Sequence, residues 1–121
     1  MRLSDELRAR TKAFGSAVIR YFVALPRNRE EVRILGRQLI RAGTSVAAHT
    51  REASRARSDA EFCSKLDGLL QEADETQLWL EFLREDCGQT DEANAWLIQE
   101  CEELIAIFAT IVSKVRKNRK S

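Results

Sequence analysis

The sequence predicts an all-α protein, an up-down-up-down, left-handed antiparallel four-helix bundle made by one domain over residues 1–121. Three observations predict it. Helix breakers are scarce, with one proline and five glycines in 121 residues, while Leu, Ala, Glu and Arg abound. Apolar residues recur at alternating steps of three and four along four long stretches, the spacing of a bundle seam. The connections between those stretches are short, so consecutive helices must lie antiparallel.

The first helix is expected over about 5–25. Ser4, followed by Asp5 and Glu6, can cap its start, and Pro26 ends it. Its seam reads Leu7, Thr11, Phe14, Val18, Tyr21 and Leu25. The second is expected over about 29–54, with Asn28 and Glu31 at capping-box spacing. Its seam runs through Val32, Leu35, Leu39, Ala42, Val46, His49, Ala53 and Ala56, and Gly36, Gly43 and Thr50 recur every seven residues beside it. Glycine inside a helix costs about 1 kcal/mol relative to alanine, so the repeat implies that another helix comes close there.

The third helix is expected over about 59–85, opened by Ser58 with Glu61 and ended before Cys87-Gly88. Phe62, Leu66, Leu69, Ala73, Thr76, Leu80 and Leu83 form its seam. The fourth is expected over about 91–117, capped by Thr90 and carrying Leu97, Cys101, Leu104, Phe108, Ile111 and Val115, with a basic tail at 118–121. No apolar run reaches the roughly 18 residues of a membrane span, and the start lacks the apolar core of a signal peptide. A cytoplasmic location without membrane contact is expected. Cys63, Cys87 and Cys101 form no CxxC pair, which fits reduced packing residues.

Catalysis has little to stand on. His49 is the lone histidine, with no Gly-x-Ser-x-Gly elbow and no phosphate-binding glycine loop. A bundle metal site normally takes two Glu-x-x-His pairs, whereas here one His precedes Glu52, with only Glu72 and Glu75 on the third helix as further oxygen ligands. A non-enzyme with no metal and no cofactor is expected, His49 serving as a hydrogen-bonding group near Gln38, Ser45 or Glu52.

Charge is the informative feature. Residues 1–57 hold thirteen Lys and Arg against five acids, residues 58–113 two against fourteen, and the last eight residues five against none. Arg33, Arg37, Arg41, Arg51, Arg55 and Arg57 are the candidate nucleic-acid contacts; the first three are four apart, where like charges repel by about 0.2–0.5 kcal/mol per pair. An anion should compensate them. A phosphate backbone is one candidate, and the acidic half of a sister subunit in a protein-only scaffold is the other. Lys114, Arg116, Lys117, Arg119 and Lys120 add a basic end without aromatic residues to stack on bases. Trp79, Phe82, Ile98, Ile105 and Val112 widen the apolar faces beyond what one bundle needs, and are the expected oligomer interface.

Residues 36–83 carry a resemblance. Gln38-Leu39, Arg41, Ser45-Val46, Glu52, the helix opening at Ser58 to Phe62, and Glu75 within EADET resemble the hallmark region of the bacterial four-helix bundle proteins encoded in 23S rRNA intervening sequences. His49 stands where that family usually has Asn, and Ala53 where many members have Gly. The family is in turn similar to the accessory protein of diversity-generating retroelements, a ring of five bundles with a nucleic-acid-binding surface. The resemblance implies a homopentamer and suggests contact with structured RNA or DNA.

Overall fold

A computed structural model describes residues 3–120. They form four helices: α1 (Asp5–Ala24), α2 (Glu30–Ser54), α3 (Asp59–Glu85) and α4 (Glu92–Lys120). Each helix packs against its neighbour in sequence, and α4 closes back on α1 through the least extensive of the four contacts. The expected all-α, four-helix arrangement is what the chain adopts.

Local chemistry sets the boundaries. Ser4 Oγ accepts from the Leu7 N–H and Ser58 Oγ from the Glu61 N–H, so both predicted serine caps form. Leu25 is extended, as the residue before Pro26 must be, and α1 stops at Ala24. After α3, Gly88 takes φ +72°, the left-handed conformation that favours a residue without a Cβ, and the Gln89 N–H reaches back to the Leu83 carbonyl.

Two caps and one end differ from expectation. The cap position of α2 is Arg29 rather than Asn28, and its side chain makes no capping bond; its guanidinium instead donates to Glu31 and to the Cys87 carbonyl. α4 is capped by Asp91, whose Oδ1 accepts from the Asn94 N–H at 2.9 Å, not by Thr90. The expected basic tail is helical as far as Lys120, with Ser121 outside the described residues.

The core is built from the seams. Phe14, Phe62 and Phe108, one each from α1, α3 and α4, are fully enclosed with Val18, Leu39, Leu66, Leu80 and Leu104. Full burial of each large apolar side chain is worth roughly 1.5–3 kcal/mol. The predicted glycine flank of α2 faces α1: a Cβ on Gly43 would lie 2.8 Å from Val18 Cγ2, and one on Gly36 3.0 Å from Leu25 Cδ1. Val112 is also core, only 4% exposed, which corrects its assignment to a subunit interface; its position one turn after Phe108 turns it inward.

Polar ties hold the α1–α4 closure. Arg10 forms a two-pronged pair with Glu100, at 2.8 and 2.7 Å, and reaches Glu103 at 3.0 Å. Hydrogen bonding to Glu100 raises the Arg10 pKa further above its ordinary value. Deeper in, the fully buried Asn94 amide donates to the Tyr21 hydroxyl at 3.0 Å and to the Leu80 carbonyl at 3.1 Å, joining α1, α3 and α4.

Candidate nucleic-acid interface

The outer face where α1 meets α2 gathers most of the candidate arginines. Arg33, Arg37, Arg51 and Arg55 are exposed, and positions 33, 37, 40, 44, 47, 51 and 55 run down one flank of α2 at helical spacing. At one end of this flank, Arg51 and Arg55 meet Arg8 and Lys12 of α1 around a groove of about 750 Å³ that Glu52, itself paired with Lys65, also lines. Ala9, Ala47 and Ala48 also line it, and their short side chains leave it open. At the other end Arg33 and Arg37 join Arg27 around a slot of about 430 Å³ lined by Phe22, Val23 and Pro26. Among the described residues no carboxylate comes within 4 Å of Lys12, Arg33, Arg37, Arg51 or Arg55.

Arg41 and Arg57 do not belong to this set. Arg41 turns toward α3, where its guanidinium bonds Glu72 at 3.1 Å and Glu75 at 3.2 Å, and the Glu72 hydrogen bond raises its pKa. Glu72 and Glu75, which sequence alone offers as weak metal ligands, are the counter-charges of Arg41. Arg57 is 91% exposed in the α2–α3 connection, with Glu61 3.9 Å away. On the basic end, Arg116 is claimed by Asp67 through two hydrogen bonds.

The expected interface residues divide between two places. Trp79 and Phe82 stack tilted, ring centroids 6.2 Å apart. Ile34 lies two turns before Arg41 and Phe82 two turns after Glu75, so the antiparallel Arg41–Glu75 contact brings Ile34 level with Phe82, with Trp79 one turn nearer that contact. Leu78 completes this apolar patch; Ile34, Leu78 and Phe82 are each about 40–50% exposed. Ile98 and Ile105, like Trp79, are half-buried against the core, but they lie on α4. Trp96, 51% exposed, stands apart beside an alanine-lined groove of about 480 Å³ between α1 and α4.

The family profile described as 23S rRNA-intervening sequence protein matches residues 5–110, which includes all of α1, α2 and α3 and most of α4. The chain belongs to that family. Among solved structures it is similar to a protein of unknown function from the S23 ribosomal protein family of Bacteroides thetaiotaomicron VPI-5482, at 28% identity and a TM-score of 0.82. The superposition covers 90% of this chain and 96% of the other. No curated protein matches.

Several of the residues that carry the resemblance to the intervening-sequence family lie on the α2–α3 face. Ser45 Oγ donates to the Arg41 carbonyl at 2.7 Å, and Glu52 pairs with Lys65 at 3.3 Å. His49 is half-buried with Nδ1 3.3 Å from Glu52 Oε1, a close approach that lacks the geometry of a directed hydrogen bond. Its ring lies over Gly68, where a Cβ would come within 2.9 Å of Cε1. The hydrogen bond expected of His49 does not form: Nδ1 is buried without a hydrogen-bond partner, and the ring is held by packing onto Gly68 beside Glu52. Among the described residues no group of three or more His, Cys, Asp or Glu is arranged to hold a metal ion, and no helix is long and apolar enough to cross a membrane.

Sequence reasoning missed four participants. Arg8 and Lys12 complete the cationic groove, and the sequence does carry a signal for them: they are four apart on the flank of α1 that faces α2. Ile34 and Leu78 join the apolar patch, yet each falls outside the seam of its helix and gains meaning only from the pairing of α2 with α3.

Proposed function

We propose that the chain is the subunit of a non-catalytic homo-oligomeric scaffold that binds structured RNA or DNA through the outer face of α1 and α2. The observation that carries this reading is the unequal neutralisation of the arginines. Arg10, Arg41 and Arg116 each have acidic partners from another helix within the chain. Lys12, Arg33, Arg37, Arg51 and Arg55 have none among the described residues, and they share one face.

Clustered cations that repel one another favour an anionic partner, and guanidinium forks suit phosphate. The apolar patch of Ile34, Leu78, Trp79 and Phe82 lies on the adjoining α2–α3 face, so subunit contact and polyanion contact need not compete. A pentamer is the assembly that the family resemblance favours. The protein-only alternative, in which sister subunits supply the acids, has to draw on acids other than Asp67, Glu72, Glu75, Glu100 and Glu103, which are engaged within the chain.

The test is a titration of a labelled 16-base-pair RNA duplex at 50 and 200 mM salt, with solution mass measured alongside. Binding that weakens at least tenfold across that range is expected, on a particle several times 13.8 kDa. Absence of binding at 50 mM salt, or a sedimenting single chain at micromolar concentration, refutes the corresponding half of the proposal.

A further inference from the structure

The free cations of the α1–α2 face are grouped, not spread. Arg33 and Arg37 stand at one end with Arg27; Arg51 and Arg55 stand at the other with Lys12 and with Arg8, the last paired to Asp5. Between them α2 presents Ile40, Thr44, Ala47 and Ala48 on this flank, and α1 presents Ser16 and Ile19, so the middle of the face carries no charge. At 1.5 Å per residue the inner pair, Arg37 and Arg51, are about 21 Å apart along α2, and the outer pair, Arg33 and Arg55, about 33 Å.

A nucleic-acid duplex has the complementary pattern. Two anionic ridges flank a groove, about 12 Å wide for the major groove of B-form DNA, and the pattern repeats after about 34 Å. The inner arginines, about 21 Å apart, exceed the groove width by about 9 Å, a gap that two long side chains leaning inward can close, and the outer pair, about 33 Å apart, stays within one repeat. From this the geometry points to a duplex bridged across one groove, Arg33 and Arg37 holding one backbone and Arg51 and Arg55 the other. The inference rests on the nucleic-acid reading above and adds to it the strandedness and minimum length of the partner.

Two further features favour a duplex over a flat anionic surface. The Arg51–Arg55 end is concave, a groove of about 750 Å³ lined in part by alanines, into which a convex backbone ridge can settle. The uncharged middle holds only small or polar side chains beside Ile19 and Ile40, too little apolar area to anchor in lipid. A single strand, free to follow any cation, would gain nothing from the fixed spacing.

The experiment compares a 16-base-pair duplex with a four-base-pair duplex closed by a non-nucleotide linker, the latter about 14 Å long at ~3.4 Å per base pair and well short of the about 21 Å between Arg37 and Arg51. The parent chain, the Arg33→Gln/Arg37→Gln pair and the Arg51→Gln/Arg55→Gln pair are measured on each. All four positions are exposed, and unchanged helical circular dichroism verifies that the variants fold. On the long duplex each double substitution is expected to weaken binding at least tenfold and to lower the salt slope by about 2. On the short duplex either is expected to change affinity by less than about threefold, since the remaining cluster can hold it. Equal sensitivity on both lengths overturns the bridging mode but not nucleic-acid binding. So does equal affinity for a 16-nucleotide single strand. Retention on phosphatidylserine vesicles with no duplex bound, or no binding to any probe at 50 mM salt, overturns both.

Discussion

Gly43 and Gly15 look alike in the sequence and behave oppositely in the bundle. A methyl group at Gly43 would press into both Cγ atoms of Val18, at 2.8 and 2.9 Å, and Val18 is fully buried and stiff at χ1. At Gly15 the nearest atoms would be 3.9 Å away, ordinary contact. Gly43→Ala is therefore expected to destabilise the protein by about 1–3 kcal/mol through overpacking. Gly15→Ala is expected to stabilise it by roughly 0.5–1 kcal/mol, the helix-propensity gain alone. Urea denaturation of the two variants checks both signs. The heptad spacing of Gly36, Gly43 and Thr50 makes the close approach at α2 legible in the sequence. That Gly15 is spare, and that Gly68 makes room for the His49 ring, depends on distances that no spacing encodes.

Cys101 carries a pH dependence of its own. Its thiol donates to the Ala73 carbonyl at 3.0 Å, and burial, with Asp74 nearby, pushes its pKa from 9.0 up to about 12. Below pH 9 the thiol is protonated in both folded and unfolded chains, and its contribution is complete. As pH rises from 9 toward 12 the unfolded chain loses the proton that the folded chain keeps. Stability then falls by at most about 1.4 kcal/mol per pH unit from this group. Cys101→Ala is expected to start lower at pH 8 but to lose less between pH 9 and 10.5, read from denaturation midpoints. Tyr21, whose pKa burial also raises, adds to the alkaline loss in both proteins above its ordinary value of 10.0.

Helix ends show where local pattern is sufficient and where tertiary structure decides. Ser4 and Ser58 cap α1 and α3 as their spacing demands, because nothing else competes for those hydroxyls. Asn28 satisfies the same pattern, yet α2 begins one residue later. Arg29 takes the cap position, its guanidinium bonded to the Cys87 carbonyl in the α3–α4 connection, a partner 58 residues away that the sequence window cannot contain. For α4, Thr90 and Asp91 are adjacent candidates, and the carboxylate at Asp91 makes the bond to the Asn94 N–H. Asp91→Ala should thus cost about 1 kcal/mol, the usual worth of an N-cap. Thr90→Ala should stay within about 0.5 kcal/mol. Thermal melts of the two neighbours settle which residue starts the helix.

At the scale of the whole molecule, periodicity reveals which residues are apolar on a helix but not whether the neighbour they meet is inside the chain or beyond it. Val112, Ile105 and Ile98 share one seven-residue spacing in the sequence. The bundle closes over Val112, half-covers the other two, and leaves Phe82 and Leu78 of α3 in the open. The distinction has a direct consequence for mutation. A carboxylate at position 112 would lie among Phe108 and the rest of the core without a counter-charge, a desolvation cost of several kcal/mol. Val112→Glu should lose cooperative thermal unfolding altogether. Leu78→Glu/Phe82→Glu places the same charge where water already reaches, so helical circular dichroism and the melting transition should persist. If the α2–α3 patch is the surface through which subunits assemble, sedimentation of that double variant should report a single 13.8 kDa chain while the parent remains larger. A double variant that keeps the parent's mass would move the assembly surface elsewhere, with the exposed Trp96 beside the α1–α4 groove as the next position to substitute.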